Sequence, residues 1–364
     1  MIRFQEPWRL CLLAGVLATG AHGQVPPELA EQLRAIGPVV NPAATAPLYA
    51  PRIREKEPVA DVRVDRDLAY GPAPRHRLDV FAVSARPSQP RPVLVFVHGG
   101  AFVAGNKKLN PSSPFYDNVA MWAARQGMVG VNITYRLAPQ DPWPAGPQDI
   151  GRAIGWIHEN IAALGGDPAR VYLLGHSAGA SHVAAYVAHP EFYPLPDSGL
   201  AGALLLSGVY RITPELVEQS PGYASYFGKD PDRYATQSSL EGLVASPVPL
   251  WVGSAELDPP SFRAQAQLLR ERLQAAGRRF ASADFAGHSH MSTAYSIHSD
   301  DASVGNALSA FIDRDVEGHS ILNPTSRWIR HLGKVCPASS EPHAHSTLNF
   351  CGFRSPNSES PRIS

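Results

Sequence analysis

Three observations predict an α/β fold: a mostly parallel central sheet with helices on both faces and a small cap insertion. First, short apolar runs alternate with segments of helical periodicity from Val59 to Arg314, the pattern of parallel strands joined by crossover helices. Second, Pro92-Val-Leu-Val-Phe-Val97 is apolar throughout and rich in β-branched residues, as a strand buried on both faces must be. Third, the rhythm breaks between Leu206 and Val248, where Tyr, Gly, Ser and Pro dominate. An interval of that length inside a compact domain is usually functional or a small subdomain, and here it is expected as a cap-like insertion over about 208–246.

Taken in order, 24–58 is rich in Pro and Ala with one helical patch, Pro27–Ile36, and reads as an arm that packs on the domain. Val62 and Val64, then Leu78, Val80, Phe81 and Val83, mark two strands separated by the turn signals Gly71-Pro72 and Pro74. After the buried strand come a helix over Phe115–Gln126, a strand over Met128–Tyr135 and a helix over Pro147–Leu164, with Ile150, Ile154, Ile157 and Ile161 at helical spacing. Val171–Leu174 reads as a strand and Ala178–Ala188 as a helix, and Ala201–Leu206 and Val248–Val252 as strands. Ser261–Ala276 reads as a helix, Phe280–Phe285 as a strand and Ala302–Arg314 as a closing helix. The folded domain is therefore expected over 59–314, with a poorly ordered Ser/Pro/His-rich tail over 315–364.

Composition narrows the function classes. With 44% hydrophobic and 18% charged residues the 364-residue chain has an ordinary globular balance. Its formal net charge is +0 without long runs of one sign, so it lacks the basic footprint of a nucleic-acid binder. Arg3 and Arg9, the apolar Leu10–Leu17 and the small Thr19, Ala21 and Gly23 have the order of a cleavable export signal over 1–23. Its apolar part is far short of the ~20 residues that span a bilayer, so a periplasmic or secreted protein without stable membrane insertion is expected. Of three cysteines, Cys11 would leave with the signal. Cys336 and Cys351 then form either a disulfide or two free thiols.

The chemistry is carried by Gly175-His176-Ser177-Ala178-Gly179, which matches G-x-S-x-G between a strand and a helix. A serine on so sharp a turn projects its hydroxyl from the sheet edge, and only small neighbours let the flanking backbone pass. His98-Gly99-Gly100-Ala101-Phe102 follows the buried strand, and successive glycines let consecutive N–H groups face one way, as an oxyanion requires.

These segments, with Tyr135-Arg-Leu-Ala-Pro139, Pro142-Trp-Pro-Ala-Gly146 and Asp167-Pro168, resemble the hormone-sensitive-lipase-like branch of the α/β-hydrolases. They are most similar to the bacterial esterases grouped with feruloyl esterases and arylformamidases, over about Val59 to Arg314. The resemblance implies oxyanion donors at Gly100, Ala101 and Ala178. Ala101 replaces the third glycine of many relatives, which a backbone donor tolerates. His98 is expected to brace the loop by hydrogen bonding.

In this fold the nucleophile is followed in the chain by a carboxylate and then a histidine. Glu256 and Asp258 compete after the strand Val248–Val252, and His288 and His290 after Phe280–Phe285. The family pattern selects Asp258 and His290, leaving Glu256 as a fallback and His288 as a residue that caps or packs its loop. His-x-His also suggests metal, but no carboxylate or Cys at ligand spacing accompanies it, so neither metal nor cofactor is expected. Phe102, Tyr116 and Tyr210 are candidate wall residues for a small ester substrate. The expected function is a serine carboxylesterase. An arylformamidase-like amide hydrolase would use the same triad, and a catalytically inactive binding module would lack a triad member. Oligomeric state is not legible.

Overall fold

The structure is a computed structural model that describes residues 25–54, 59–85 and 87–322. The expected export signal, Cys11, Cys336, Cys351 and the tail beyond Leu322 lie outside the described residues. Eight described strands form one sheet: β1 (Val62–Ala69), β2 (Arg77–Val83), β3 (Arg91–Val97), β4 (Val129–Ile133), β5 (Gly166–His176), β6 (Gly202–Leu206), β7 (Leu250–Leu257) and β8 (Ala281–Ser289). Their order is β1-β2-β4-β3-β5-β6-β7-β8. The β1–β2 and β2–β4 pairs are antiparallel and every later pair is parallel. All strands from β3 onward therefore end at the same edge, where ligands of open α/β sheets bind.

The described helices are α1 (Pro27–Ile36), α2 (Pro42–Tyr49), α3 (Asp117–Arg125), α4 (Ala145–Asn160), α5 (Ala178–Ala188), α6 (Pro214–Glu218), α7 (Pro221–Phe227), α8 (Tyr234–Gln237), α9 (Leu240–Ala245), α10 (Pro260–Ala275), α11 (Ser292–Tyr295) and α12 (Ser303–Leu322). Strand β3 shows why its run has no polar position. Val93, Val95 and Val97 face the layer that holds Ile150 and Ile154 of α4 and Val183 of α5. Leu94 and Phe96 face the opposite layer, with Leu29 and Leu33 of α1, Val119 and Trp122 of α3 and Leu308 of α12. Each such buried side chain contributes about 1.5–3 kcal/mol relative to exposure.

The interval after β6 folds into α6–α9, and α6–α8 bring Leu216, Val217, Tyr226, Phe227 and Tyr234 into a separate apolar cluster with Phe102. The residues read as an arm hold both α1 and α2. Asn41 caps α2 by accepting from the Ala44 N–H at 3.0 Å, and Pro42 opens that helix where no N–H partner is needed. Several strands run beyond their apolar cores: β5 starts at Gly166 and β7 reaches Leu257. Helix α12 continues past Arg314 to Leu322. The described residues up to Glu317 belong to one compact unit, and the second unit, 318–364, is described only as the end of α12.

Candidate active site

Ser177 follows β5 directly and is the residue before α5, at φ 58° and ψ −125°. A non-glycine residue rarely adopts this left-handed φ, and it holds only where surroundings over-determine it. Two contacts do so: the Ser177 N–H donates to Leu206 O at 2.9 Å, and α5 is pressed against the end of β3. A Cβ at Gly179 would lie 2.0 Å from Val97 O, so only glycine permits that approach.

The chain after β3 passes over the serine. A Cβ on Gly99 would meet Ser177 Cβ at 3.0 Å. Gly100, Ala101 and Phe102 all have positive φ (134°, 50° and 69°), and a Cβ at Gly100 would strike Ala104 O at 2.0 Å. Among the described residues the N–H groups of Gly100 and Ala101 meet no acceptor, and Ala178 is the first residue of α5. His98 is fully buried; its Nδ1–H donates to Gly99 O at 2.7 Å, and its ring stacks 4.4 Å from Tyr135, whose hydroxyl donates to His98 O at 2.6 Å. Burial pushes the His98 imidazole down to about 3, so it stays neutral while bracing this loop.

Asp258 follows β7 and His290 follows β8, and both are fully buried. His290 Nδ1 lies 2.7 Å from Asp258 Oδ1. Asp258 Oδ2 accepts from Ser207 Oγ at 2.7 Å and from the Ala255 N–H at 2.8 Å. Burial acts against the charge of Asp258, but the contact with His290 and these two donors hold its carboxyl below the usual range. His290 Nε2 is buried without a hydrogen-bond partner among the described residues, and Phe262 covers the ring at 4.6 Å. The His290 carbonyl accepts from His176 Nε2–H at 2.9 Å and from Thr293 Oγ1 at 2.8 Å.

The competing residues sit elsewhere. Glu256 is exposed and accepts from the Gly287 N–H at 2.7 Å, so it shapes the histidine loop and does not contact the imidazole. His288 is buried between Ser292 Oγ (2.9 Å) and Ser303 Oγ (2.7 Å), with Asp301 Oδ2 at 3.5 Å. Asp301 in turn accepts from Tyr49 of α2 at 3.2 Å. The arm thereby holds the segment that follows the His290 loop, reinforced by the Ile53–Ser299 bridge and the Arg54 N–H to His298 O bond.

A cavity of about 610 Å³ opens over Ser177, lined also by Gly99, Gly100, Ala101, Ala178 and His176. Of the expected wall residues, Tyr116 lines it, but Phe102 and Tyr210 do not. Phe102 stacks on Tyr226 at 4.6 Å in the cap cluster, because its positive φ turns the side chain away from the loop's amides. Tyr210 is a core residue, fully buried beside α5 and α9. The other walls were not legible: Val40 and Pro42 from the arm, Gln219, Ser220 and Tyr223 from the cap, Phe262, Met291 and Tyr295. Ser207 was missed too, although its place at the end of β6 beside Ser177 was a usable signal.

A family described as alpha/beta hydrolase fold, Abhydrolase_3, matches residues 94–294. The chain is 29% identical over 229 residues to esterase LipC of Mycobacterium tuberculosis (58% of this chain, 56% of that protein). To esterase LipQ of the same organism it is 30% identical over 228 residues, 58% of this chain and 53% of that protein. The match thus spans about half the length of these curated relatives. Among solved structures, esterase B of Lactobacillus rhamnosis superposes with a TM-score of 0.63 at 18% identity, over 80% of this chain and 98% of that one. The metagenomic carboxylesterase EstE1 gives 0.56 at 20%, over 75% and 97%. Both likenesses concern the fold. With more than half of its 364 residues matched by the family, this chain belongs to the Abhydrolase_3 family of the α/β-hydrolase fold.

Proposed function

We propose that the protein is a serine carboxylesterase that hydrolyses small, uncharged carboxylic esters. The reading rests on one juxtaposition: a serine held at positive φ and the backbone of Gly100, Ala101 and Ala178 line one cavity, and Phe262, which also lines it, covers the ring of the His290 that is paired with Asp258. Asp258 fixes the proton of His290 on Nδ1, leaving Nε2 as the acceptor for the Ser177 proton. As Oγ bonds to the ester carbon, the N–H groups of Gly100, Ala101 and Ala178 hold the oxyanion, each worth about 10²–10³ in rate. The C–O bond then breaks, the departing alcohol takes the proton from His290, and the acyl group stays on Ser177. Water repeats the sequence, giving its proton to His290 and releasing the acid. A hydrogen bond from Ser177 Oγ to Nε2, which has no partner among the described residues, is expected to form in the substrate complex. The esterase names of the curated relatives favour the same reading.

The test is turnover of p-nitrophenyl acetate and butyrate, with N-formylkynurenine as the amide competitor. Ester turnover abolished in Ser177→Ala is expected; activity surviving that change, or confined to the formamide, would refute the proposal. Export is proposed as well, on the Arg3–Gly23 pattern alone. N-terminal sequencing of protein from the periplasm or medium should find a chain starting after Ala21 or Gly23, and an intact Met1 would refute it.

A further inference from the structure

We infer that Tyr49, in the arm far upstream of the triad, is a positioning residue for His290, acting through a one-way chain of hydrogen bonds over Asp301, Ser303, His288 and Ser292; this rests on the role of His290 as base given above. The Tyr49 hydroxyl donates to Asp301 Oδ2 at 3.2 Å, and Ser303 Oγ donates to Asp301 Oδ1 at 2.6 Å. His288 Nε2 lies 2.7 Å from Ser303 Oγ, and His288 Nδ1 lies 2.9 Å from Ser292 Oγ. Ser292 Oγ in turn accepts the Ser289 N–H at 2.8 Å, and Ser289 is the residue before His290. All five side chains are buried. Tyr49, Asp301 and Ser303 fall outside the residues that the family matches, so the outer half of the chain is no part of that likeness.

Proton counting gives the chain its direction. Burial holds the His288 imidazole down to about 4, so near neutral pH it carries one donor and one acceptor. The single proton of Ser303 is spent on the Asp301 carboxylate, so at His288 this hydroxyl can only accept, from Nε2–H. Nδ1 is then the acceptor, and it draws the Ser292 proton. That turns a lone pair of Ser292 Oγ to the Ser289 N–H and keeps its proton from Ser289 O, 3.1 Å away. The order ends at the Asp301 carboxylate, which Tyr49 holds from the arm. Burial and the neighbouring Asp301 push the phenol above its ordinary value, so the hydroxyl stays a donor. Without that donor Oδ2 is free to swing toward His288 Nε2, 3.5 Å away. The chain then no longer has one arrangement, and the turn that carries His290 loses its fixed support.

The test reads kcat and KM for p-nitrophenyl butyrate in Tyr49→Phe, Ser292→Ala and the double variant. Beside it runs the rate at which diethyl p-nitrophenyl phosphate phosphorylates Ser177, a step that needs the base but no ester turnover. Tyr49→Phe keeps the ring and is expected to lower kcat and the phosphorylation rate about three- to tenfold, the worth of one neutral hydrogen bond, with KM unchanged. Ser292→Ala should cost at least as much, and adding Tyr49→Phe to it less than about twofold more, because the chain is already cut. Imidazole nitrogen NMR of the wild type should find His288 protonated at Nε2 and bare at Nδ1. Full kcat in folded Tyr49→Phe, a loss confined to KM, losses that multiply in the double variant, or a proton on His288 Nδ1 would each overturn the inference. Should Tyr49→Phe fail to fold by urea titration, Ser303→Ala cuts the same chain and takes its place. Serine phosphorylation with the expected losses but no ester turnover would overturn the esterase reading and leave the chain standing.

Discussion

Asp258→Asn replaces one buried oxygen by an amide nitrogen where the surroundings dictate which way the amide faces. The Oδ2 position receives the Ala255 N–H at 2.8 Å and Ser207 Oγ at 2.7 Å. The hydroxyl can rotate, but the backbone N–H can only donate. The asparagine carbonyl must therefore stay at that position, and its NH₂ turns toward His290 Nδ1. The reverse orientation would set two donors against each other in a dry site, at about 1–3 kcal/mol. His290 is then driven to accept at Nδ1 and to carry its proton on Nε2, the atom that has to receive the Ser177 proton. The variant also lacks the carboxylate that stabilises the imidazolium. Together these should lower kcat/KM by about 10³–10⁴, or about 4–5.5 kcal/mol of barrier. The assay is initial-rate hydrolysis of p-nitrophenyl butyrate, with urea unfolding of both proteins to establish that the variant is folded. A folded variant that loses less than about tenfold would refute the tautomer argument.

The other predictions concern the remaining histidines. His290→Ala should lower kcat by about 10⁴ or more. His288→Ala should act first on stability, by about 1–3 kcal/mol, because Ser303 and Asp301 lose a buried partner; equal rate losses in the two variants would contradict the assignment. Acid should destabilise the protein well before carboxylates titrate. Burial holds His98, His176 and His182 down to about 3, against about 6.5 when unfolded. The unfolded chain therefore binds more protons below about pH 6.5, and stability falls as pH falls. At about pH 5.5 each of the three contributes about 1 kcal/mol of loss relative to pH 8. The depressed carboxyl of Asp258 gives up its stabilisation only below about pH 4, so the loss between pH 8 and about 5.5 belongs to the histidines. Urea midpoints that stay flat between pH 8 and about 5.5 would disprove the neutral-histidine account.

The opening serine, the paired glycines and the alternation of strands and helices were legible because each is a local demand of the backbone. A nucleophile at positive φ needs small neighbours in sequence, and a strand buried on both faces needs an unbroken apolar run. The choice between Asp258 and Glu256 was not local. Glu256 is the penultimate residue of β7 and Asp258 comes just after its end, and the fold sets one carboxylate against the Gly287 N–H and the other against His290. The same holds for His290 and His288, two residues apart and facing different partners.

The pocket walls lay furthest from what sequence could yield. Tyr116 lines the cavity, while Phe102 and Tyr210, aromatic and suitably close in the chain, lie in the cap cluster and the core. Periodicity reports that a side chain is buried, not which cavity it borders. Val40 and Pro42 reach the cavity from an arm far upstream, and Ser207 reaches Asp258 across a gap of 51 residues. Sequence by itself determined the fold class and the strand–serine–helix turn, since those follow from backbone sterics and strand periodicity, while the order of the chemical groups came from the resemblance to the α/β-hydrolases. Only the tertiary structure decided which acid meets which histidine and what surrounds the substrate, because those contacts join residues distant in the chain and depend on how loops leave the common edge of the sheet.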